Sequence, residues 1–462
     1  MAGKGISKRL ARHVADYPSA ALPAATAAAA ARVLLDGIGV MLAASGLSDD
    51  VAPFVALARE ERGIAPILGV GACTTPALAA FANGAMAHAL DFEDTFDAAP
   101  CHPNAALLPA VLALAAARPD VSGRDLLAAI AIGCDLVCRL ALALKRPMEE
   151  GGWYPPPILG AFGAVAAAAR LCRLDTRQVL DAFSLILCQI STPGEIKHSP
   201  DTVLRAVRDA FPAQAAVQAA LLAASGVRGF DAPFEGEGGF YRLFAGGSFD
   251  RAALEGGLGE HFWIERLTFK RWPACRGTHA YIEAVQRLGA DRRLTARDVI
   301  EIVATGGPVQ RMLAEPADRK AAPATAIDAK FSIPYAIAAT MLDGDVGLDS
   351  FTPASLLRDE VRRLGARVRF EQAPDWGRGQ AASGAVRVVF ADDSQRESIV
   401  LTALGHPDRP LDDAALVAKF VACAGRAKRP ITEPDARDLA TTVLSIGEAT
   451  NCRDLCQRLR GR

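Results

Sequence analysis

The feature that most constrains the fold is a series of Ala- and Leu-rich segments of helical length between residue 1 and about residue 265. Alanine is the best helix former. Several of these segments are apolar on nearly every face, which is typical of helices buried inside a large bundle. The predicted helices span residues 22–45, 75–90, 104–117, 123–145, 157–172, 175–190 and 203–225.

The pattern changes after Phe262. Residues 299–304 form a strand-like run, and residues 363–371 and 385–390 alternate apolar and polar side chains, with a hairpin turn at 391–394 leading to a strand at 397–401. Helical segments lie near 277–290 and 329–342, and again at 414–424 and 433–444. We therefore predict a mainly α fold: a large all-helical domain (1–266), an inserted smaller α+β lid domain (267–403), and a helical return (404–462), with the ligand in the cleft between domain and lid.

Charge and cysteine content exclude several classes of protein. The 51 Lys and Arg residues and 52 Asp and Glu residues give a net charge of −1, so no nucleic acid or anionic membrane is expected as a partner. None of the ten cysteines forms a C-x-x-C pair, which predicts reduced thiols rather than zinc ligands or a disulfide scaffold. The longest uncharged stretch, 63–90, carries Pro, Thr, Asn and His and is interpreted as a buried strand, turn and helix. We expect a soluble cytoplasmic protein.

The densest polar cluster of the helical half lies around residues 88–104. His88 and Asp91 are three residues apart and share a helix face. Asp91, Glu93 and Asp94 come at a helix C-terminus, where a carboxylate opposes the helix dipole and needs a compensating reason. His102 opens the next helix, whose N-terminus offers backbone N–H groups and a proton carrier to an anion. The alternative is a surface turn with capping acids.

A second cluster places three cations and a histidine within ten residues. Lys270, Arg271, Arg276 and His279 lie at the predicted boundary between body and lid. Such a set suits a substrate with two or more carboxylates, because Arg binds carboxylates bidentately. The alternative is a solvated basic loop.

A third segment places Lys330, Ser332 and Tyr335 in otherwise apolar sequence. A buried lysine there would need a partner or a ligand. Alternatively, the lysine stem packs beside a core helix while its ammonium group reaches water.

Sequence signals for metals and nucleotides are weak. Asp91 and Asp94 resemble half of a magnesium–diphosphate site, but no second metal motif accompanies them. Gly69 and Gly71 lack the third glycine and the acidic residue of a dinucleotide fingerprint. We predict neither a metal nor an organic cofactor.

The segment from Asn83 to Thr95, followed by His102-Pro103, resembles the signature of the MmgE/PrpD family. That family includes 2-methylcitrate dehydratase, cis-aconitate decarboxylase and iminodisuccinate epimerase. The resemblance runs from about residue 20 to about residue 405. Its other matching segments are Leu35–Gly39, Gly152–Ala164, Phe234–Phe240, Lys270–His279 and Asp328–Ser332.

The resemblance implies a large helical domain with a smaller α+β lid, a homodimer, and chemistry without metal or organic cofactor. It also implies acid–base chemistry on a carbon next to a carboxylate. By motif position it places Asp91, Thr95 and His102 in the cleft, and Lys270, His279, Lys330 and Ser332 on the lid side.

Four positions, in three segments, depart from the family pattern. Tyr154 stands where the family usually has His, and Arg208 and Phe211 replace a Lys and a His. Cys275 stands where cis-aconitate decarboxylases carry His. These changes argue against cis-aconitate as the substrate and leave 2-methylcitrate open.

We therefore predict a hydro-lyase that dehydrates a small di- or tricarboxylic hydroxy acid such as 2-methylcitrate. His102 or Asp91 would remove the α-proton, and His279 or Tyr154 would protonate the leaving hydroxyl. An epimerase or isomerase, a decarboxylase and a non-catalytic family member are the alternatives. The predicted catalytic residues are Asp91, Thr95, His102, Tyr154 and His279, and the predicted substrate-binding residues are Arg208, Lys270, Arg271, Cys275, Lys330 and Ser332.

Overall fold

The computed structural model describes residues 5–99, 101–199, 202–290 and 296–461. The predicted domain ranges also take in residues 1–4, 100, 200–201, 291–295 and 462, which lie outside the described residues. About 58% of the chain is helical, which confirms a mainly α fold. The chain divides into two units, one made of residues 1–267 and 412–462 and the other of residues 268–411.

The first unit is a helical bundle with one short antiparallel hairpin, β1 (Ala65–Ile67) and β2 (Ala72–Thr74). The hairpin replaces the single strand that was predicted before the helix in residues 63–90. The helices of this unit are Ile6–Asp16, Ala24–Leu47, Ala52–Ala58, Pro76–Ala89, Leu107–Ala117, Gly123–Leu142, Pro155–Leu171, Thr176–Leu187, Leu204–Val207, Ala210–Ala224, Phe240–Ala245, Arg251–Glu255, Asp413–Ala424, Glu433–Leu444 and Arg453–Arg458.

Two glycines allow two helices of the bundle core to cross closely. A Cβ at Gly133 would lie 2.6 Å from the Gly163 carbonyl oxygen, and a Cβ at Gly163 would lie 2.6 Å from the Gly133 carbonyl oxygen. Only glycine allows the helices Gly123–Leu142 and Pro155–Leu171 to pack this closely. Helix Leu107–Ala117, which follows His102, packs against both and is itself almost wholly buried.

Helix Ala24–Leu47 is long and apolar enough to cross a membrane by length and composition, and 78% of its most apolar window is buried inside the structure. It packs against the C-terminal helix Asp413–Ala424. A Cβ at Gly39 would lie 3.2 Å from the Phe420 ring, so the two helices approach closely there. The helical return is therefore part of the core of the first unit.

The second unit is built on a four-stranded mixed sheet in the order β4-β3-β5-β6. Its strands are β3 (Val299–Gly306), β4 (Val368–Gln372), β5 (Gly384–Phe390) and β6 (Gln395–Val400); β3 and β4 are parallel, and the other pairs are antiparallel. The sheet shares one hydrophobic core with helices His279–Ala290 and Ile333–Asp343. Val386 of β5, Tyr281 of the first helix and Ile337 of the second helix all belong to this core. The helices are His279–Ala290, Pro308–Ala314, Ala317–Ala321, Ala326–Lys330, Ile333–Asp343, Pro353–Leu356 and Asp359–Gly365.

Two predicted elements differ from those in the structure, and a helix near the N-terminus is an example of an element that was not predicted. The strand predicted at 363–371 is wrong in its first part, because helix Asp359–Gly365 buries Val361, Leu364 and Gly365 at helical spacing and β4 begins only at Val368. The helix predicted over 203–225 is divided at residues 208–209. Helix Ile6–Asp16 was not predicted, although its buried residues also follow helical spacing.

Candidate functional site

The candidate site begins where helix Pro76–Ala89 ends. Asp91 takes a left-handed backbone conformation (φ 49°), and its N–H donates to the His88 carbonyl at 2.8 Å. Asp tolerates this conformation better than most residues. The chain therefore reverses within a few residues, and Glu93 returns to the side of His88.

One carboxylate oxygen connects two imidazoles. Glu93 Oε1 lies 2.5 Å from Nδ1 of His88 and 2.9 Å from Nδ1 of His102, and Asp91 Oδ1 lies 3.7 Å from Nδ1 of His88. The two rings are edge to face, with their centroids 5.1 Å apart. His88, Asp91 and Glu93 are buried, while 17% of the His102 side chain is exposed. His102 is therefore the member of this group that solvent or a ligand can reach.

The hydrogen bonds assign a tautomer to each ring. Burial and the nearby Arg208 together lower the pKa of His88 to about 4, against the opposing effect of Glu93 and Asp91. His88 is thus neutral at neutral pH, and its Nδ1–H donates to Glu93. Nδ1 of His102 lies 3.3 Å from the Asp94 carbonyl oxygen and 2.9 Å from Glu93 Oε1, and both of these oxygens are acceptors. In the uncharged ring the proton therefore sits on Nδ1, and the Nε2 lone pair is unprotonated. The accessible ring therefore presents a proton acceptor.

Asp94 is a buried carboxyl group next to this network. Asn104 Nδ2 donates to Asp94 Oδ2 at 2.8 Å. Burial raises the pKa of Asp94 to about 8, against the hydrogen bond from Asn104, and Asp36 and Glu93 add to the rise. At neutral pH Asp94 is mostly protonated, so the site carries less negative charge than its three acids, Asp91, Glu93 and Asp94, suggest.

A lysine from the C-terminal helix Asp413–Ala424 holds the loop that follows Leu90. Lys419 Nζ donates to the Phe92 carbonyl at 2.7 Å and lies 3.7 Å from the centroid of the Phe92 ring. It also forms a buried ion pair with Asp36 Oδ1 at 2.6 Å. This lysine therefore fixes the backbone just before Glu93.

Arg208 is a buried cation near the imidazoles. Its Nη1 donates to the Tyr154 hydroxyl at 2.7 Å, and its Nε lies 3.3 Å from Asp209 Oδ2. Burial opposes the charge, but Tyr154, Asp209, Glu93 and Asp91 raise the pKa of Arg208 above its ordinary value, so the guanidinium is charged. Burial also raises the pKa of Asp209 to about 6, despite Arg208. Two of the positions that depart from the family pattern, Tyr154 and Arg208, are thus directly hydrogen-bonded to each other.

Thr95 completes the set of predicted catalytic residues in the first unit. It is buried, and its hydroxyl donates to the Cys101 carbonyl at 3.3 Å. This bond closes the loop between the turn at Asp91 and the segment that carries His102. Asp91, Thr95 and His102 therefore belong to one loop system, with Tyr154 and Arg208 coupled to it through charge.

The donor atoms of this group also suit a divalent cation. Nδ1 of His88 and His102 and one oxygen each of Asp91 and Glu93 all lie within 4.8 Å of one another. Two imidazoles with carboxylates are ligands for zinc and similar ions. With bonds of about 2.1 Å, neighbouring tetrahedral ligands lie roughly 3.4 Å apart, so an ion would have to lengthen the His88–Glu93 contact and displace its proton.

In the second unit, the segments 270–279 and 328–332 lie side by side. The Cys275 N–H donates to the Lys330 carbonyl at 3.0 Å, and Lys330 Nζ donates to the Pro273 carbonyl at 3.2 Å and lies 4.1 Å from the Phe351 ring centroid. Lys270 is fully buried. The two predicted cationic segments of this unit are therefore in contact.

Several polar side chains of these segments also form hydrogen bonds or ion pairs within the second unit. His279 begins its helix, with Nε2 3.2 Å from the Ala274 carbonyl and Nδ1 3.4 Å from Arg276 Nη1. Arg271 is partly exposed and pairs with Asp345 at 3.1 Å. Ser332 caps helix Ile333–Asp343: its Oγ accepts from the Tyr335 N–H at 3.0 Å and donates to the Lys320 carbonyl at 2.6 Å. Their roles in substrate binding stay predictions.

Sequence reasoning did not select several residues that build the site. Glu93 stood inside the acidic cluster, yet only the structure shows that it, and not Asp91, lies within hydrogen-bond distance of His102. His88 was noticed without being assigned a role, and Asn104, expected to cap the next helix, instead donates to Asp94. Lys419 is 327 residues away from Phe92 in the sequence, so no local pattern could have pointed to it.

Comparison with known proteins finds matches along most of the chain. Residues 8–252 match the model of the MmgE/PrpD N-terminal domain, and residues 272–440 match that of the MmgE/PrpD C-terminal domain. Cis-aconitate decarboxylase from Homo sapiens is 27% identical over 84% of this chain and 80% of the relative. A cis-aconitate decarboxylase-like protein from Aspergillus oryzae is 25% identical over 99% of this chain and 97% of the relative.

Proposed function

The chain belongs to the MmgE/PrpD family, and we propose that it is a lyase that acts by acid–base chemistry on a small di- or tricarboxylic acid. The observation that carries this proposal is the group of Glu93, His88 and His102, in which one carboxylate oxygen lies 2.5 and 2.9 Å from the two imidazoles. It provides an oriented imidazole, His102, whose second nitrogen takes no part in the contact with Glu93 and can accept a proton.

The proposed base is His102. An α-proton next to a carboxylate is weakly acidic, so its removal needs a base held in position and a cation that stabilises the enolate-like charge. Glu93 fixes the tautomer in which Nε2 of His102 accepts the proton, and it stabilises the imidazolium that forms. Asp91, 3.7 Å from His88, is the second candidate for the base.

The proposed cation and acid are Arg208 and Tyr154. Arg208 is buried and charged, and a guanidinium in that state binds carboxylates strongly. Its Nη1 donates to the Tyr154 hydroxyl, so the phenolic proton stays available for donation to a leaving group. A tyrosine is a suitable proton donor and a poor base near neutrality, which disfavours a two-base epimerase.

The first candidate reaction is dehydration of a hydroxy acid such as 2-methylcitrate. His102 takes the α-proton, the carbon–oxygen bond breaks, a carbon–carbon double bond forms, and the hydroxyl leaves as water with the proton of Tyr154. The two groups that exchange protons are oriented by Glu93 and Arg208 respectively.

Decarboxylation is the second candidate, because it is the reaction for which the relatives are named. In that reaction CO₂ leaves and the carbanion left behind takes a proton from Tyr154 or from charged His102. Four residues that depart from the family pattern weigh against cis-aconitate as the substrate: Tyr154, Arg208, Phe211 and Cys275.

We keep three further predictions as part of the proposal. Lys270, Lys330 and His279 of the second unit would bind carboxylates or supply the acid. The reaction would need no metal or organic cofactor. The protein would be cytoplasmic, an expectation from its sequence composition, and a homodimer, an expectation from family resemblance.

The test is NMR of the purified protein in deuterated buffer with a panel of hydroxy and unsaturated di- and tricarboxylic acids. Dehydration gives a new alkene signal, and decarboxylation gives CO₂ and a product one carbon shorter. Exchange of the α-proton without an alkene would instead identify an epimerase or isomerase. Binding of these acids without any turnover, with His102→Ala behaving like the wild type, would overturn the proposal.

A further inference from the structure

A cavity of about 430 Å³ lies in the first unit beside Arg208. It is formed by the start of helix Pro155–Leu171, the loop that follows helix Thr176–Leu187, and the start of helix Ala210–Ala224. Its volume is within the range of small-molecule sites. Most of its exposed lining is apolar, contributed by Pro157, Ile190, Pro193, Ile196, Leu204 and Phe211.

The polar end of this cavity is Arg208. Only 2% of Arg208 is exposed, and its Nη2 has no hydrogen-bond partner among the described residues. Lys197 Nζ lies 5.6 Å from the Tyr154 ring centroid, and the Arg208 guanidinium carbon lies 5.0 Å from the same centroid. Two cations therefore flank the Tyr154 ring, and one of them, Arg208, lines the cavity. A carboxylate attached to an aliphatic chain complements this arrangement.

Arg208, which lines the cavity, interacts electrostatically with residues of the candidate site. Arg208 lowers the pKa of His88, and Glu93 and Asp91 in turn raise the pKa of Arg208. A carboxylate at Arg208 would thus be within the field of the imidazole group. An aliphatic substituent on the same molecule would contact the apolar part of the lining, which includes Phe211 and Leu204.

Phe211 adds a feature particular to this chain. It stands where the resembling family usually has His, and it packs at a steep angle against Phe54 and Phe81, with centroids 6.1 and 5.8 Å away. Phe211 is nevertheless 52% exposed. An apolar ring in place of an imidazole makes this side of the cavity suited to hydrocarbon.

We propose that the cavity beside Arg208 binds an aliphatic substituent, so that the substrate is an alkyl-substituted polycarboxylate rather than an unsubstituted one. This inference rests on the proposed function and specifies its substrate class. Each methylene buried in such a cavity should improve binding by about fourfold, until the cavity is full.

The test uses 2-alkylsuccinates, which carry two carboxylates and cannot lose water. Affinity of the wild-type protein for succinate, methylsuccinate, butylsuccinate and hexylsuccinate is measured by isothermal titration calorimetry. The variants are Phe211→His and Leu204→Asn. The matched controls are Leu221→His, on the same helix outside the cavity, and Val203→Asn; Val203 and Leu204 are 43% and 45% exposed.

The expected result is an affinity that rises with chain length in the wild type and in both controls. Phe211→His and Leu204→Asn should each reduce the advantage of hexylsuccinate over methylsuccinate by about tenfold or more. Circular dichroism and thermal melting check that the variants are folded.

Two outcomes would overturn the inference. A flat length series with measurable binding of succinate would show that the cavity takes no alkyl chain, while the proposed lyase function would stand. A flat series together with loss of dimer on sedimentation of Leu204→Asn, but not of Val203→Asn, would show that a second copy of the chain covers this surface. Failure to bind any diacid would instead contradict the proposed function itself.

Discussion

The Glu93 carboxylate lies 2.9 Å from Nδ1 of His102, and the same oxygen lies 2.5 Å from Nδ1 of His88. One acid therefore orients two rings that come from different parts of the chain. Removing either His102 or Glu93 should affect turnover in distinguishable ways.

Replacing His102 by Ala should reduce turnover by about 10²–10⁴-fold, because a positioned base contributes an effect of that size. The fold should stay intact, since His102 is partly exposed. Turnover of the substrate found by NMR is compared with that of His198→Ala, an exposed histidine. Normal turnover by a folded His102→Ala protein would exclude His102 as the base.

Glu93→Gln should lower kcat by about 10–100-fold with little change in KM, because Glu93 is expected to act by orienting His102 rather than by contacting substrate. Gln keeps one hydrogen-bond acceptor but loses the charge. The two substitutions should not be additive: in a His102→Ala background, Glu93→Gln should have almost no further effect. Full additivity would mean that Glu93 has a separate role.

Lys419→Met should destabilise the protein by about 3–5 kcal/mol, because it leaves the Asp36 carboxylate buried without the ammonium group that lies 2.6 Å away. Lys419→Met combined with Asp36→Leu should recover much of that loss, since neither charge then remains buried. Guanidinium unfolding of both proteins checks this. Equal stability of the single and double variants would show that the ion pair contributes little.

The stability of the protein should fall as the pH rises through the range in which Asp94 holds its proton only in the folded state. Burial raises the pKa of Asp94 from 3.8 to about 8, so between these values the unfolded chain releases a proton that the folded chain keeps. The stability contribution of this proton is complete below pH 4 and is lost progressively up to pH 8.

Asp94→Asn removes this titration. The free energy of unfolding of the wild type, measured relative to Asp94→Asn, should therefore decrease by about 1 kcal/mol or more between pH 5 and pH 8. The exposed variant Asp454→Asn is the control and should show no such trend. A difference that does not vary with pH would mean that Asp94 is ionised in the folded protein.

Activity should survive dialysis against EDTA, because the proposed reaction uses only side-chain acids and bases. Added Zn²⁺ should inhibit it, since two imidazoles and two carboxylates with ligand atoms within 4.8 Å of one another would bind the ion in place of the shared protons. Metal content after dialysis is measured together with turnover. Loss of activity on chelation, restored by a metal, would replace the proposed mechanism with a metal-dependent one.

The sequence was sufficient to predict most helices of the first unit, because Ala-rich segments bounded by clear turn residues leave little ambiguity. It also singled out Asp91, Thr95 and His102, which the structure places in one loop system. It was insufficient for the segment 363–371, where apolar residues fit both strand and helix spacing over a few residues.

The partners of the site residues were harder to predict than the residues themselves. The position of Glu93 beside His102 depends on the left-handed turn at Asp91, and a backbone conformation of that kind is not encoded by a side-chain pattern. The contact between Lys419 and Phe92 depends on how the C-terminal helix packs, which is a property of the complete bundle.

This same contact has a consequence for synthesis of the chain. Phe92 leaves the ribosome long before Lys419, and all of residues 268–411 are translated in between. During synthesis, the loop that carries Glu93 therefore lacks its contact with Lys419 until the whole second unit has been translated. A nascent chain that stops before residue 419 would carry every acid and imidazole of the site, yet not the hydrogen bond that anchors them.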